Sequence, residues 1–400
     1  LTPNQDDEQH GEKGDATDLH GLASRFLLYG STNDAAICSA RRKKVLRDLR
    51  KQQAMGNLHR DAVIIVSAKP PRRKDAMPGK ITDVPGVRVG HAYDERGRTG
   101  VTVILCDPPA IGAMDRRGAA ISTRQCDSLL PEHLLSRVDA IVLAGGSAFG
   151  LDCAAGVMDE LSARGIGMPT PGRPVPIVPT AALFDLGFGA SDAQPTPALA
   201  RQAARAAARD FAEGSVGAGH GASVGKVFGI TWAMKGGLGT ASRRRAADGL
   251  IVGALAAVNA WGDVVDPATG RIIAGARDPS GKGRFADTAK VLATEPLQKR
   301  PGFAVFDNTV LAVVATNARL DKNLANFVAR MAQTGLARAV RPSHGPFDGD
   351  VIFALSCGDV PLDPAAVGQL AAEAVAEAIV RAVQTADGFG VLPDAREAPE

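Results

Sequence analysis

The sequence predicts a layered α/β fold, and three observations carry that reading. Apolar runs of strand length alternate with longer segments of helical periodicity. Of 400 residues, 45% are hydrophobic, enough for one large core or two small ones. The 45 glycines fall largely in short runs between apolar segments, as tight connections and close backbone approaches require.

In chain order, residues 101–105 and 140–143 are continuous aliphatic runs and read as buried strands. Residues 150–163 follow as a helix, with Leu151, Ala154, Ala155, Met158 and Leu161 spaced along one face. Further helices are expected over 197–212 and 364–383. Residues 310–315 are rich in β-branched side chains and read as a buried strand, with a helix over 322–334 packing back on the sheet. Residues 351–355 form another strand. These elements belong to one domain over 80–390, followed by a tail over 391–400. Residues 1–79 differ: polar and acidic through Asp18, then basic through Arg41, Arg42, Lys43, Lys44 and Arg72, Arg73, Lys74. They are either a disordered or partly helical extension or a segment before a functional start near Met77. Both readings make them dispensable.

Composition excludes several classes. A formal charge of +3 and 4% aromatic residues argue against a nucleic-acid stacking surface. Five cysteines without a CxxC pair suggest neither a disulfide framework nor a zinc site, and seven scattered histidines without HExxH give a metal cofactor no support. No apolar run approaches the roughly 18 residues of a membrane span, and no basic-then-apolar leader opens the chain. The expectation is a soluble cytoplasmic protein with reduced thiols, no cofactor, and neither nucleic-acid nor membrane partners.

The bond Asn308–Thr309, placed just before the 310–315 run, invites a chemical reading. Cutting it would make Thr309 a new N-terminus carrying both a hydroxyl nucleophile and an α-amine, whose reference pKa of about 7.7 to 8.0 suits a general base. The bland alternative is a turn feeding a strand. Two glycine-rich loops fail the motifs they approach. Residues 217–226 end in Gly225-Lys226, but His220 occupies a required glycine position and Val227 stands where a phosphate-binding loop needs Ser or Thr. Ser147, in Gly145-Gly146-Ser147-Ala148-Phe149, lacks the following glycine of a nucleophile elbow and reads as a helix N-cap or pocket wall.

Ordered segments extend the pattern: Ile81 to His91, Leu143 to Leu151, Gly217 to Lys226, Lys235 to Ser242, Ala257 to Asp266, Asn308-Thr309, and Arg341 to Asp350. Through them the chain resembles, from about Lys80 to Phe389, the L-aminopeptidase/D-esterase family, which includes β-peptidyl aminopeptidases and the 6-aminohexanoate oligomer hydrolase that degrades nylon oligomers. The resemblance implies an αββα sandwich made as one inactive chain. It implies cleavage between 308 and 309 into an α chain (to 308) and a β chain (309–400), assembled as a homotetramer of αβ protomers.

The resemblance also implies site residues. Lys226 matches the lysine near the nucleophile, and Asn259 matches the asparagine that holds the substrate carbonyl. Either would stabilise an oxyanion, and Lys226 would alternatively keep Thr309 in its reactive protonation state. Asp348 and Asp350 match paired acids near the nucleophile; as alternate residues of an extended segment they would face one pocket. Without the resemblance, Lys226 reads as a surface lysine, Asn259 as a turn residue, and Asp348-Gly349-Asp350 as a turn. His344 reads as a buttress of that loop. Ser147 and Phe149 would support the site or line the substrate pocket, but Phe149 replaces a tyrosine of close relatives and has no hydroxyl to donate. The implied activity is autoprocessing hydrolysis of short peptides with a free N-terminus by Thr309. Alternatives are endo-hydrolysis of ω-amino-acid oligomers, acyl transfer by the same nucleophile, and an uncleaved binding protein on the same fold.

Overall fold

The computed structural model describes residues 79–190, 192–296, 308–361 and 363–399. The reading of residues 1–79 as an extension therefore lies, except for Gly79, outside the described residues. In chain order the strands are β1 (Val87–Asp94), β2 (Thr99–Gly118), β3 (Thr123–Arg124), β4 (Val138–Ala144), β5 (Thr180–Ala182), β6 (Ser223–Val224), β7 (Met234–Lys235), β8 (Gly237–Arg245), β9 (Leu250–Asn259), β10 (Asp263–Val265), β11 (Ile272–Ala274), β12 (Thr309–Ala318), β13 (Val340–Arg341) and β14 (Gly349–Val360). The α-helices are α1 (Cys153–Ala163), α2 (Pro197–Arg205), α3 (Thr288–Thr294), α4 (Lys322–Ala339) and α5 (Pro364–Gln384).

One strand serves two sheets. The first half of β2 pairs with β1 on one side and β4 on the other, while residues 111–118 pair antiparallel with β14. The changeover lies between Leu105 and Ala110, where the β4 register shifts and where Pro108 and Pro109 lack N–H donors for a ladder. The first sheet thus runs β3-β5-β4-β2-β1, and the second runs β2-β14-β12-β9-β8.

Alternation along the strands sets the layers, because neighbouring residues of a strand point to opposite faces. On β12, Leu311, Val313 and Ala315 join Val351, Phe353 and Leu355 of β14 and Ile141 and Leu143 of β4 in one core between the sheets. The intervening Val310, Ala312 and Val314 pack instead with residues of α4 and α5. On the first sheet, Val101, Val103, Ala140 and Val142 pack with Cys153, Val157 and Leu161 of α1 and Ala200 and Ala203 of α2. The order is therefore helix, sheet, sheet, helix, the αββα sandwich that the resemblance implied.

Local signals explain most helix starts. Asp321 and Asp363 accept N–H groups of Leu324 (2.8 Å) and Ala365 (3.0 Å) at the starts of α4 and α5, and α5 carries proline at its first position. Two helix lengths differ from the sequence expectation. The 197–212 helix stops at Arg205, because Ala208 exchanges both backbone hydrogen bonds with Val89 of β1 and is captured by the sheet. The 322–334 helix instead continues to Ala339, and Gly335 and Leu336 are buried in its path. Residues 150–163 divide into a 3-10 turn (Ser147–Asp152) and α1. Ser147 is not an N-cap: Gly146 occupies that position, Ser147 makes no capping bond, and its φ is 54°. No described helix is long and apolar enough to cross a membrane.

Candidate active site

Three strand ends meet at one edge of the second sheet. β9 ends at Asn259, antiparallel β12 begins at Thr309 directly opposite it, and β14 begins at Gly349 beside β12 in parallel register. Asn308 and Asp348 form a bridge that extends the β12–β14 pairing beyond both strands. The edge thereby gathers Asn259, Asn308, Thr309, Asp348 and Asp350, and each is at most 4% exposed.

The bond before Thr309 is held from two sides. Thr309 Oγ donates to the Asn308 carbonyl oxygen at 2.5 Å, and the Gly349 N–H donates to that same oxygen at 3.0 Å. A side chain on Gly349 would place its Cβ 2.3 Å from the Ala120 carbonyl oxygen and 2.9 Å from Thr309 Oγ, so only glycine lets this strand approach so closely. The Asn308 carbonyl thus has a fixed backbone donor where an oxyanion would develop, and a hydroxyl within reach.

Lys226 is buried, and its Nζ donates to the Asn259 backbone oxygen at 3.1 Å and to Oδ1 at 2.9 Å. The loop after β6 brings it there: Gly225 and Lys226 donate their N–H groups to Gly262 O (3.0 Å) and Trp261 O (2.9 Å). This replaces the surface-lysine reading. Asn259 is the last residue of a strand, not a turn residue. Its Oδ1 also accepts the Ser223 N–H at 3.0 Å, and its Nδ2 donates to the Phe184 oxygen at 2.8 Å.

The two acids have different surroundings. Asp350 Oδ1 accepts the Val310 N–H at 2.8 Å, while Oδ2 accepts the His344 N–H at 3.2 Å and lies 2.8 Å from His344 Nδ1. Asp348 Oδ2 accepts the Gly345 N–H at 2.7 Å. Burial pushes the Asp348 carboxyl up to about 7, the negative charge of Asp350 adds to the rise, and the Gly345 N–H, Lys226 and His344 oppose it. A buried carboxyl poised near neutrality takes and returns protons readily. The Asp348-Gly349-Asp350 segment is the entry of a strand, and His344 braces it with φ of 59°.

Two sequence candidates stand apart from this cluster. Ser147 is half-buried and Phe149 is 59% exposed; among the described residues no hydrogen bond or ring contact joins either side chain to Thr309, Asn308, Asp348 or Asp350. Sequence reasoning missed the Gly349 N–H. Its only signal was a glycine between two acids, where a close backbone approach is needed. Among the described residues no group of three or more His, Cys, Asp or Glu is placed to hold a metal ion.

The chain is similar to known proteins over most of its length. The profile of peptidase family S58 matches residues 79–392. A Mycobacterium tuberculosis protein described as an uncharacterized aminopeptidase is 39% identical over 343 residues, covering 79% of this chain and 97% of that protein. The 6-aminohexanoate-oligomer endohydrolase of Paenarthrobacter ureafaciens is 31% identical over 317 residues, covering 75% of this chain and 84% of the relative. Among solved structures, the L-aminopeptidase D-Ala-esterase/amidase of Ochrobactrum anthropi, described as a variant of the Ntn hydrolase fold, superposes with a TM-score of 0.57 at 20% identity. That match covers 78% of this chain and 88% of the other.

Proposed function

Because the chain belongs to peptidase family S58 and is an amide hydrolase, we propose that it cuts its own Asn308–Thr309 bond and then uses Thr309 as an N-terminal nucleophile. The α chain would end at 308 and the β chain begin at 309. The placement of Thr309 Oγ against the Asn308 carbonyl oxygen, which the Gly349 N–H already holds, supports this most directly.

In maturation, Oγ attacks the Asn308 carbonyl carbon and its proton passes to ionised Asp348. The oxyanion forms on Asn308 O against the Gly349 N–H. Collapse breaks the carbon–nitrogen bond, the Thr309 nitrogen takes the proton, and water opens the resulting ester to free an Asn308 carboxylate and the Thr309 amine. Asp350, occupied by Val310 and His344, anchors the strand entry.

In turnover, the Thr309 amine accepts the Oγ proton as Oγ attacks the substrate amide, and that proton leaves with the amine product. Water then hydrolyses the acyl-enzyme by the same route. Asn259, opposite Thr309 across the ladder, and Lys226 stabilise the oxyanion. Ser147 and Phe149 belong to the outer wall of the substrate pocket.

The substrate is a short peptide with a free N-terminus. Endo-hydrolysis of ω-amino-acid oligomers is the second reading, favoured by the likeness to the oligomer endohydrolase. A homotetramer of αβ protomers in the cytoplasm completes the proposal. It is supported by the family resemblance and by cysteines without a CxxC pair.

Intact mass and N-terminal sequence of the denatured protein, beside Thr309→Ala, test it. Two fragments, one beginning Thr309-Val310-Leu311, absent in the variant, are expected. A single uncut wild-type chain after long incubation removes the nucleophile and favours a binding protein.

A further inference from the structure

We propose that Lys235 and Asp185 are positioning residues that hold the Asn259 side chain opposite Thr309, through the two backbone segments that grip it. The inference rests on the hydrolytic role of Asn259 proposed above.

Neither residue touches the Asn308–Thr309 bond, yet both lie behind the partners of Asn259. Its Oδ1 is held by Ser223 N–H and its Nδ2 by Phe184 O. Lys235 lies on β7 directly across from Ser223. It is fully buried, and its Nζ donates to Gly219 O at 2.9 Å, Ala222 O at 2.8 Å and Gly236 O at 3.0 Å. Two of those oxygens bracket the turn that leads into Ser223, so the ammonium fixes where the Ser223 N–H points.

Asp185 follows Phe184 and is 3% exposed. Its Oδ1 accepts the Gly146 N–H at 2.7 Å and its Oδ2 the Thr99 hydroxyl at 2.8 Å. A Cβ on Gly221 would fall 2.6 Å from Asp185 Oδ2, so the carboxylate lies beside the turn that Lys235 ties down. The two charges also feel each other: burial pushes Asp185 up to about 6 and Lys235 down to about 7, and each partner's charge opposes the other's shift. Rings of Phe188 and Phe389 lie 5.5 Å and 6.0 Å from Nζ.

Charges are costly to bury unless paired and hydrogen-bonded. Here the Lys235 bonds end on the turn before Ser223 and on Gly236, and the Asp185 bonds end on Gly146 and on Thr99. A buried apolar pair would fill the same volume without orienting the Ser223 N–H or the Phe184 oxygen. Such orientation matters because displacement of a reacting group by about 1 Å costs on the order of 100-fold in rate.

The test compares Lys235→Met, the charge-free double variant Asp185→Asn/Lys235→Met, Asn259→Ala, and Asn259→Ala combined with Lys235→Met. Hydrolysis of L-alanine p-nitroanilide and of a 6-aminohexanoate oligomer is measured per cleaved, folded protein. The double variant leaves no unpaired buried charge, so it reports even where Lys235→Met is insoluble. Cleavage at Asn308–Thr309 is expected to proceed, since the Gly349 donor lies outside this network. The kcat should fall by about tenfold or more with KM within about threefold, and Lys235→Met should add no loss on the Asn259→Ala background. Wild-type kcat in the double variant, or losses that multiply on that background, overturns the inference. Wild-type kcat in Asn259→Ala instead overturns the proposed role of Asn259 itself.

Discussion

Gly349 donates its N–H to the carbonyl oxygen of Asn308, from the strand beside the one that Thr309 begins. Because a Cβ there meets Ala120 O and Thr309 Oγ, Gly349→Ala displaces both donor and nucleophile. Self-cleavage should slow by about 100-fold or more, the effect of losing an oxyanion donor. A time course of fragment formation on denaturing gels checks this, and cleavage at the wild-type rate would remove Gly349 from the chemistry.

Asp348 titrates where it can be followed. Its folded carboxyl sits near 7, above the ordinary carboxylate value of 3.8, so the folded chain holds a proton there that the unfolded chain has released. That stabilisation is complete below about pH 4 and is lost as pH rises through 7. In the uncut Thr309→Ala background, Asp348→Asn should raise stability at pH 8 relative to pH 5 by roughly 2 kcal/mol, measured by urea denaturation. In the native sequence, cleavage should accelerate as pH rises through 7, and a pH-independent rate would exclude Asp348 as the base.

Asn259→Asp keeps an acceptor for Ser223 and Lys226 but loses the amide donor. The matured variant should lose about 100- to 1,000-fold in kcat, in line with removal of an oxyanion donor. Retention of wild-type kcat in steady-state assays would place the donor elsewhere.

Phe353 is fully buried between the sheets, among Leu311, Leu355 and Ile141. Phe353→Ala should cost about 3 to 5 kcal/mol, read from denaturant midpoints in the Thr309→Ala background. A smaller loss would mean that the two layers close over the cavity.

The sandwich was legible where the physics is local. Continuous apolar runs in 310–315 and 351–355 mark strands buried on both faces, and helical spacing marks the helices that begin at 322 and 364. Thr309, Asn259, Lys226, Asp348 and Asp350 were singled out through their ordered segments, and the fold brings these residues together. What escaped depends on partners distant in sequence. The early end of α2 follows from Val89 capturing Ala208, and no pattern within 197–212 encodes it. The Gly349 donor belongs to the backbone, which every residue type but proline carries, so residue identity does not announce it. Lys235 looks like any lysine until three carbonyl oxygens close around it.

Once opened between 308 and 309, the protein would still resist separation into its pieces. β12 and β14, from the C-terminal piece, are inserted side by side between β9 and β2 of the N-terminal piece, hydrogen-bonded on both flanks. Neither fragment could leave without unzipping two ladders and splitting the core shared by both sheets. The nick would therefore be invisible to any native separation by size, and each piece would keep the other soluble by serving as the missing middle or the missing edges of a common sheet.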